Sequence, residues 1–455
     1  MVINMNQSYW QKTTKKRIKP TIQQDMDVDI VIIGGGLSGV SLAYQLKDSP
    51  YKIIVVDKDE IGSHTSGHTT AKMTTLHGLL YHDIVQYYDV HKAYLYYQSN
   101  QEALESIKAI IKKEGIDCDY KENDAYIFTQ DPHYVTKIQK QKEIFKLFRI
   151  PTLDDPHYLS SLGLSHQAIF HPLKYLYALM NICENHQIQF YEHSQVTHIE
   201  RFDHHYILDI NHHHIKCHYL IHATRYPFIK KGFYFLKMFQ QKEYIDTLET
   251  DENQNSYLCV DHLWSYRPLQ QHHLLIHKDA NDWYAQDSIP LRGIPYIGSI
   301  DDKNQEFIIY GFQKWGMTLS HVAAKLISDL ILEKDNPYED LYSCHYFNFS
   351  FSKQYHSLMM NHLYRGYIKN QFTSKVEINP QEGCIIRKNG QLLAVYKDKK
   401  GKMHYFSPYC PHMLCIIEFD KKSQTWRCPC HQSIYDAYGK LIEGPSLKSL
   451  TEKPD

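Results

Sequence analysis

The sequence contains no apolar run long enough to span a bilayer. It has no excess of charge of either sign: 50 Lys and Arg face 51 Asp and Glu, a net charge of -1. Such a balance offers no field to hold a polyanion, which argues against nucleic acid as a partner. No repeat of fixed period runs through the chain, and no Ser/His/Asp or Cys/His nucleophile constellation is supported. The start, Met1 to Pro20, is basic and polar and lacks the apolar stretch of a secretory signal, so the expected compartment is the cytoplasm. Ten cysteines in 455 residues are too few for a disulfide scaffold.

What is present is a globular composition, 43% hydrophobic and 22% charged, in a chain too long for one core. Two or three domains are expected. Six cysteines are scattered: Cys118, Cys183, Cys217, Cys259, Cys344 and Cys384. The other four crowd between Cys410 and Cys430, a density that points to metal or redox chemistry.

The run Asp29 to Ile33 reads as a buried parallel strand and leads straight into Gly34-Gly35-Gly36-Leu37-Ser38-Gly39. Helical periodicity follows over Val40 to Leu46, then a second apolar run, Lys52 to Val56, ends at Asp57. Strand, glycine turn, helix, strand and acid together form a dinucleotide-binding pattern. Gly34 permits the tight turn, Gly36 lets backbone approach a pyrophosphate, and Gly39 allows close helix–strand packing. Asp57 is placed to accept hydrogen bonds from ribose hydroxyls. The pattern alone does not choose between FAD and NAD.

Further on, His82 to Glu114 predicts a long helix or a helix pair, and Pro172 to Asn185 another helix. Short strands are expected at Ile188 to Tyr191, Val196 to Arg201, Tyr206 to Ile210 and Ile215 to Ile221, with a turn at Asn211. A strand at Phe307 to Tyr310 and a helix from Ser320 to Leu332 follow. Past Asn370, strands at Cys384 to Arg387, Leu392 to Lys397 and Met403 to Ser407 alternate with the turns Asn389-Gly390 and Lys399-Lys400-Gly401, so the end of the chain reads as a small all-β domain.

Three further segments carry a resemblance. Ser66-Gly67-His68-Thr69-Thr70-Ala71-Lys72 resembles the second flavin-contacting segment of the D-amino-acid-oxidase-like (DAO) superfamily. Ala223-Thr224 is similar to that superfamily's Ala-Thr turn, and Gly311-Phe312-Gln313-Lys314-Trp315-Gly316-Met317-Thr318 to its late segment ahead of a helix. Pro295-Tyr296-Ile297-Gly298 also matches. The resemblance covers about residues 28 to 340. It implies FAD, held by Gly34, Gly36, Gly39, Asp57, Thr69, Thr70, Ala71, Val196, Ala223, Thr224, Gly311, Trp315, Gly316, Met317 and Thr318. It also implies an α/β doubly wound FAD-binding domain interleaved with a mixed-sheet substrate domain.

Cys410-Pro411-His412 and Cys428-Pro429-Cys430-His431 offer two sulfurs and two imidazoles, a set that zinc would accept. The spacing resembles the Rieske [2Fe–2S] motif, with Gly444-Pro445 downstream. That resemblance implies thiolate ligands Cys410 and Cys428 on one iron and imidazole ligands His412 and His431 on the other. It also implies a disulfide between Cys415 and Cys430. Rieske loops usually have Gly where this chain has Leu414 and Gln432. Ser433 and Tyr435 sit where hydroxyls can donate to cluster sulfurs, which predicts a potential toward the upper Rieske range.

The expected organisation is therefore a polar tail at 1–27, a DAO-like FAD domain at 28–340, a linker at 341–370 and a small all-β Rieske domain at 371–455. The His212-His213-His214 run predicts a solvated hairpin, since neighbours on a strand point to opposite faces. The Tyr residues between Tyr81 and Tyr97 read as packing, and His77 as a residue that could face the flavin.

The resemblance implies oxidation of a C–N bond of an amino acid or amine, with hydride passing to the flavin and electrons leaving singly through the exposed histidine end of the cluster to an external one-electron acceptor. Arg267 is a candidate for holding a substrate carboxylate. Relatives carry a longer segment between His277-Lys278 and Trp283, and often Asp where Arg292 stands. Two alternatives stay open: a non-catalytic electron-transfer or redox-sensing protein, and a zinc-stabilised module on a NAD-binding domain.

Overall fold

The computed structural model describes residues 7–227, 231–249, 253–269, 272–280, 282–301, 303, 305–352, 364–367, 377–421, 423–444 and 446–454. The linker expected at 341–370 falls partly outside these residues, and so does Pro445 of the Gly444-Pro445 pair. The chain forms two compact units. The larger comprises Met5–Arg225 and Gln241–Phe351, and the smaller takes in Tyr226–Gln240 and Ser352–Asp455.

In the larger unit a six-stranded sheet holds β1 (Ile30–Ile33), β2 (Ile53–Val56), β3 (Gln189–Tyr191), β4 (Tyr219–His222), β5 (Tyr296–Ser299) and β6 (Glu306–Tyr310) in the order β5-β6-β4-β1-β2-β3. All neighbours run parallel except β5 and β6. Every residue of β1 and β2 is buried and β-branched, as a strand covered on both faces requires. The order reverses at β1, with β2 on one side and β4 on the other, which creates a crevice beyond the strands' carboxyl ends. Helix α1 (Leu37–Gln45) packs on helix α2 (Gly316–Ile331).

A separate sheet has eight strands. Ser256–Cys259 runs parallel to Lys121–Thr129, while Lys121–Thr129 pairs antiparallel with Ser160–Ile169, so the sheet is mixed. A four-stranded sheet contains the histidine-rich hairpin. Asn211 and His212 both take left-handed φ, 49° and 68°, and close it between Ile210 and His213. His213 and His214 face Asp25 and Asp209 at its partly exposed surface. Among the described residues, no helix is long and apolar enough to cross a membrane.

Several elements differ from their sequence reading. The run Ile215 to Ile221 divides at His218, because the chain leaves one sheet at Cys217 and enters another at Tyr219. Helix α2 starts at Gly316, four residues ahead of Ser320. The stretch from His82 is a helix pair, Leu80–Tyr87 and Val90–Glu114, broken where Asp89 caps the second helix by accepting from Lys92 N. The described part of the polar tail is packed: Trp10 and Ile22 are buried, and Trp10 Nε1 donates to Thr69 O at 2.6 Å.

In the smaller unit, Glu382–Lys388, Gln391–Lys397 and Met403–Phe406 form one antiparallel sheet. Glu418–Asp420, Thr425–Arg427, Ile434–Asp436 and Leu441–Glu443 form a second. Asn389 and Gly390, at φ 50° and 80°, make the tight turn of the first hairpin. Trp426 and Tyr435 fill a core shared with all four clustered cysteines.

Candidate functional site

Four of the flavin-type segments leave from carboxyl ends of parallel strands. Gly34 follows β1, Asp57 follows β2, Ala223 follows β4 and Gly311 follows β6. Gly34 has φ 115°, and a Cβ there would lie 2.5 Å from Ala223 O. A Cβ on Gly39 would lie 2.0 Å from Gly34 O. Gly36 caps α1 without a side-chain bond, and the nearest atom to its missing Cβ is Ser66 Oγ at 3.2 Å. Leu37 N donates to Ser66 Oγ at 2.9 Å, and a helix start of this kind is the sort of backbone that phosphates bind. Asp57 accepts from Gly35 N at 2.7 Å and Asp59 N at 2.9 Å, and its carboxylate has lone pairs left for hydroxyl donors. Val196 is buried at the start of the strand that follows Ser194, whose N donates to Asp57 O.

Ala71 adopts φ 54°, and its N–H is fixed by Thr69 Oγ1 at 3.0 Å. Gly311, Gln313 and Lys314 are left-handed at 83°, 51° and 75°, an unusual run that places Trp315 ahead of α2. Trp315 stacks on His77 with centroids 4.5 Å apart and planes 9° from parallel. His77 is fully engaged: Nδ1 meets Tyr96 Oη and Nε2 meets Thr74 O, each at 2.9 Å. Burial holds its pKa down at about 3, so the ring is neutral. Thr318 donates to Asn100 Oδ1, and Met317 is buried beside it. Helix α2 has no side-chain cap, so the N–H groups of its first turn, from Gly316 to Thr318, keep a positive dipole end.

In the smaller unit two loops repeat one hydrogen-bond pattern. Cys410 N donates to Cys415 O and Leu414 N to Cys410 O; Cys428 N donates to Ser433 O and Gln432 N to Cys428 O. Leu414 and Gln432 take φ 58° and 60°. The thiols of Cys410 and Cys428 are both buried. A hydrogen bond from Cys428, with those of Tyr435, the His412 N–H and Ser433, lowers the Cys410 thiol against the cost of burial. Tyr435 Oη lies 3.1 Å from Cys410 Sγ. The His412 and His431 rings lie 5.0 Å apart at 86°. Cys415 and Cys430 are joined in a disulfide that ties the loops together. Two buried thiols beside two imidazoles fit the donor set of an iron–sulfur centre with mixed ligation.

Residues 29–225 match the family DAO, FAD dependent oxidoreductase, and residues 370–454 match the Rieske [2Fe-2S] domain. The chain is a DAO-family FAD-dependent oxidoreductase carrying a Rieske domain. It is similar along 98% of its length to YhfW of Bacillus subtilis (strain 168), named as a Rieske 2Fe-2S iron-sulfur protein, at 29% identity over 97% of that protein. Gamma-glutamylputrescine oxidoreductase of Escherichia coli is 26% identical across 27% of this chain and 29% of its own. The fold resembles that of glycine oxidase from Geobacillus kaustophilus, with TM-score 0.59, 13% identity and coverage of 71% and 99%.

In this DAO–Rieske oxidoreductase a group of charges missed by sequence reasoning adjoins the flavin-type segments. Lys314 pairs with Glu243. Burial pulls the Lys72 ammonium down to about 7, opposed by Glu243. Burial, and then Glu243, push Asp287 up to about 6, while Lys314 and Arg225 oppose them. Lys72, Arg225 and Lys314 each lie beside a motif residue, but Glu243 and Asp287 come from distant strands and had no local signal. Arg267 does not face a site: it is buried, donates to Phe170 O at 2.8 Å and stacks 4.7 Å from the Trp10 ring. Arg292 is a clamp whose guanidinium donates to the carbonyls of Ile294, Ser343, Tyr346, Pro295 and Tyr342.

The histidine end of the cluster site also differs from expectation. His431 is buried, and Tyr226 covers both rings, with centroids 5.8 Å from His412 and 5.5 Å from His431. Phe235 adds a contact at 6.0 Å from His412. The covering residues come from Tyr226–Gln240, a segment read from sequence as part of the FAD domain.

Proposed function

We propose that this chain is a dehydrogenase for amino acids or amines that delivers electrons singly to an external acceptor protein. The observation that carries this reading is one polypeptide with a dinucleotide cradle at the ends of β1, β2, β4 and β6 and a two-thiol, two-imidazole centre. The substrate class is supported by the names of the similar proteins, glycine oxidase and gamma-glutamylputrescine oxidoreductase. When bound, FAD takes a hydride and the [2Fe–2S] cluster carries one electron at a time.

The residues proposed to hold FAD are Gly34, Gly36 and Gly39 at its phosphates, Asp57 at the ribose, Thr69 to Ala71, Val196, Ala223, Thr224 and Gly311 along its length, and Trp315 to Thr318 at the ring. Cys410, Cys428, His412 and His431 are proposed to hold the iron. Asp287, ionised above about pH 6, accepts a proton from a substrate ammonium so that its nitrogen lone pair is free. Lys72, Arg225 and Lys314 supply positive charge for a carboxylate. His77 stays neutral and braces Trp315.

Anaerobic stopped-flow mixing with a panel of amines and amino acids tests this. The flavin band bleaches first and the cluster band second. The flavin phase speeds up as pH rises through about 6, and Asp287→Asn removes that dependence. A cluster that never changes overturns the reading. The engagement of Arg267 in packing favours a second reading, a redox sensor reduced by a partner, in which no substrate bleaches the flavin.

A further inference from the structure

Cys259, one of the scattered cysteines, stands in a group of metal-ligating side chains. It ends the strand Ser256–Cys259, which runs parallel to Lys121–Thr129 with Cys259 opposite Phe128. The chain turns back over the next residues, and Cys259 N donates to Trp264 O at 3.0 Å. Two residues of that turn reach the sulfur. Cys259 Sγ donates to Asp261 Oδ1 at 2.8 Å and lies 3.2 Å from His262 Nδ1. His262 Nδ1 also meets Asp261 Oδ1. One sulfur, one nitrogen and one carboxylate oxygen thus lie within 4.8 Å of one another. All three residues belong to the larger unit, and none to the flavin-type segments or the cluster loops.

The carboxylate is aimed by the rest of the fold. Its other oxygen, Oδ2, accepts from Thr129 Oγ1, from Gln130 N at 3.0 Å and from Asp131 N at 3.1 Å. Those bonds occupy Oδ2 and leave Oδ1 turned toward the thiol and the imidazole, as outer partners orient a ligand at a metal. The Asp261 side chain is 6% exposed and that of His262 is 60% exposed, so the group has a packed side and a side open to water. Against the cost of burial, bonds from Cys259, Thr129, Gln130 N and His262 hold the Asp261 carboxyl well below the usual carboxylate range. Burial, and then the bond to Asp261, push the Cys259 thiol up to about 11, which makes it a poor nucleophile and argues against a thiol catalyst.

We propose that Cys259, Asp261 and His262 form a three-ligand site for a divalent ion of the zinc class, with water in the fourth position on the exposed His262 side. Thiolate and imidazole together select such an ion over magnesium or calcium, which take oxygen ligands. Tetrahedral bonds of about 2.0–2.3 Å separate ligand atoms by about 3.3–3.5 Å, so the two contacts of the sulfur need to lengthen by less than about 1 Å to admit the ion. Bonds form from the ion to Sγ, Oδ1 and Nδ1, the thiol proton leaves to solvent, and no electron changes hands. The bound ion fastens the turn after Ser256–Cys259 to the corner at Thr129 to Asp131. This inference is independent of the substrate and of the electron flow proposed above.

The test uses the full-length holoprotein, with iron and acid-labile sulfide measured so that the clustered cysteines are known to be engaged. Zinc is titrated in competition with a chromophoric chelator, and the wild type is expected to take up one ion per chain at this site. His262→Ala, a change at an exposed side chain, is expected to weaken that binding by at least about tenfold, the loss that even an outer partner brings. Cobalt in place of zinc is expected to give a thiolate charge-transfer band in the difference spectrum, and Cys259→Ser to remove it. Zinc held equally by the wild type and by His262→Ala overturns the proposal, since the ion then sits elsewhere. A wild type that binds no zinc overturns it too and leaves a hydrogen-bonded turn. Should Cys259→Ser fail to fold, the zinc affinity of His262→Ala decides alone.

Discussion

The dinucleotide turn and the cluster loops are both places where glycine is expected, yet for different reasons. At Gly34 and Gly39 the requirement is space, since a Cβ would run into backbone oxygen at 2.5 Å and 2.0 Å. At Leu414 and Gln432 the requirement is dihedral angle, and L-residues adopt φ 58° and 60°. Leu414 is 65% exposed, so its side chain finds room in solvent. A left-handed L-residue costs roughly 1–2 kcal/mol, which paired loops and a disulfide can bear, whereas a collision with backbone must move a strand. An absent glycine is thus weak evidence against a motif where only φ is at stake.

The comparison breaks first at Gly39. Gly39→Ala is expected to cost about 3 kcal/mol and to abolish FAD retention, read by thermal unfolding and by the flavin absorbance of purified protein. A variant that keeps its flavin at full occupancy would show that space is not the constraint. The smaller unit has its own crowded glycine. A Cβ on Gly366 would lie 2.4 Å from Cys430 Sγ, and Gly366 O accepts from Ile416 N at 2.7 Å. Gly366→Ala is expected to cost about 2 kcal/mol and to make the disulfide easier to reduce, measured by thiol titration against a dithiol.

Tyr435→Phe removes the hydroxyl at Cys410 Sγ and should lower the cluster midpoint by about 40 mV, the equivalent of ~1 kcal/mol for a one-electron couple. A redox titration followed by EPR reads it, and an unchanged midpoint removes Tyr435 from the tuning. The smallest effect is the sharpest on the comparison itself. Leu414→Gly and Gln432→Gly should each leave the cluster intact and raise stability by about 0.5–1 kcal/mol in denaturant unfolding. Destabilisation by either would mean that those side chains do more than tolerate their angle.

Much of the larger unit's site was legible because its signals are local. β1, the glycine turn, α1 and Asp57 are contiguous, and each strand-end motif names its own place. The mixed sheet was less so. Lys121–Thr129 begins with polar Lys-Glu-Asn-Asp, and its register with Ser160–Ile169 shifts between Asn123 and Ala125, which breaks the alternation that marks a strand. Helix α2 was read late because Gly316 and Thr318 resemble loop residues until α1 covers them. The charges at Lys72, Glu243 and Asp287 converge from three distant segments, and Tyr226 meets partners almost two hundred residues downstream, so neither arrangement leaves a periodic trace.

The short helix Tyr9–Lys12 near the amino end has a practical bearing on handling this molecule. Ser8 Oγ donates to Gly67 O, Gln11 Nε2 to Ser63 O and Trp10 Nε1 to Thr69 O, so this helix forms a latch across the stretch that precedes Ala71. Trimming it, or splicing an affinity handle in its place, would slacken a wall of the prosthetic-group compartment and not merely remove an inert leader.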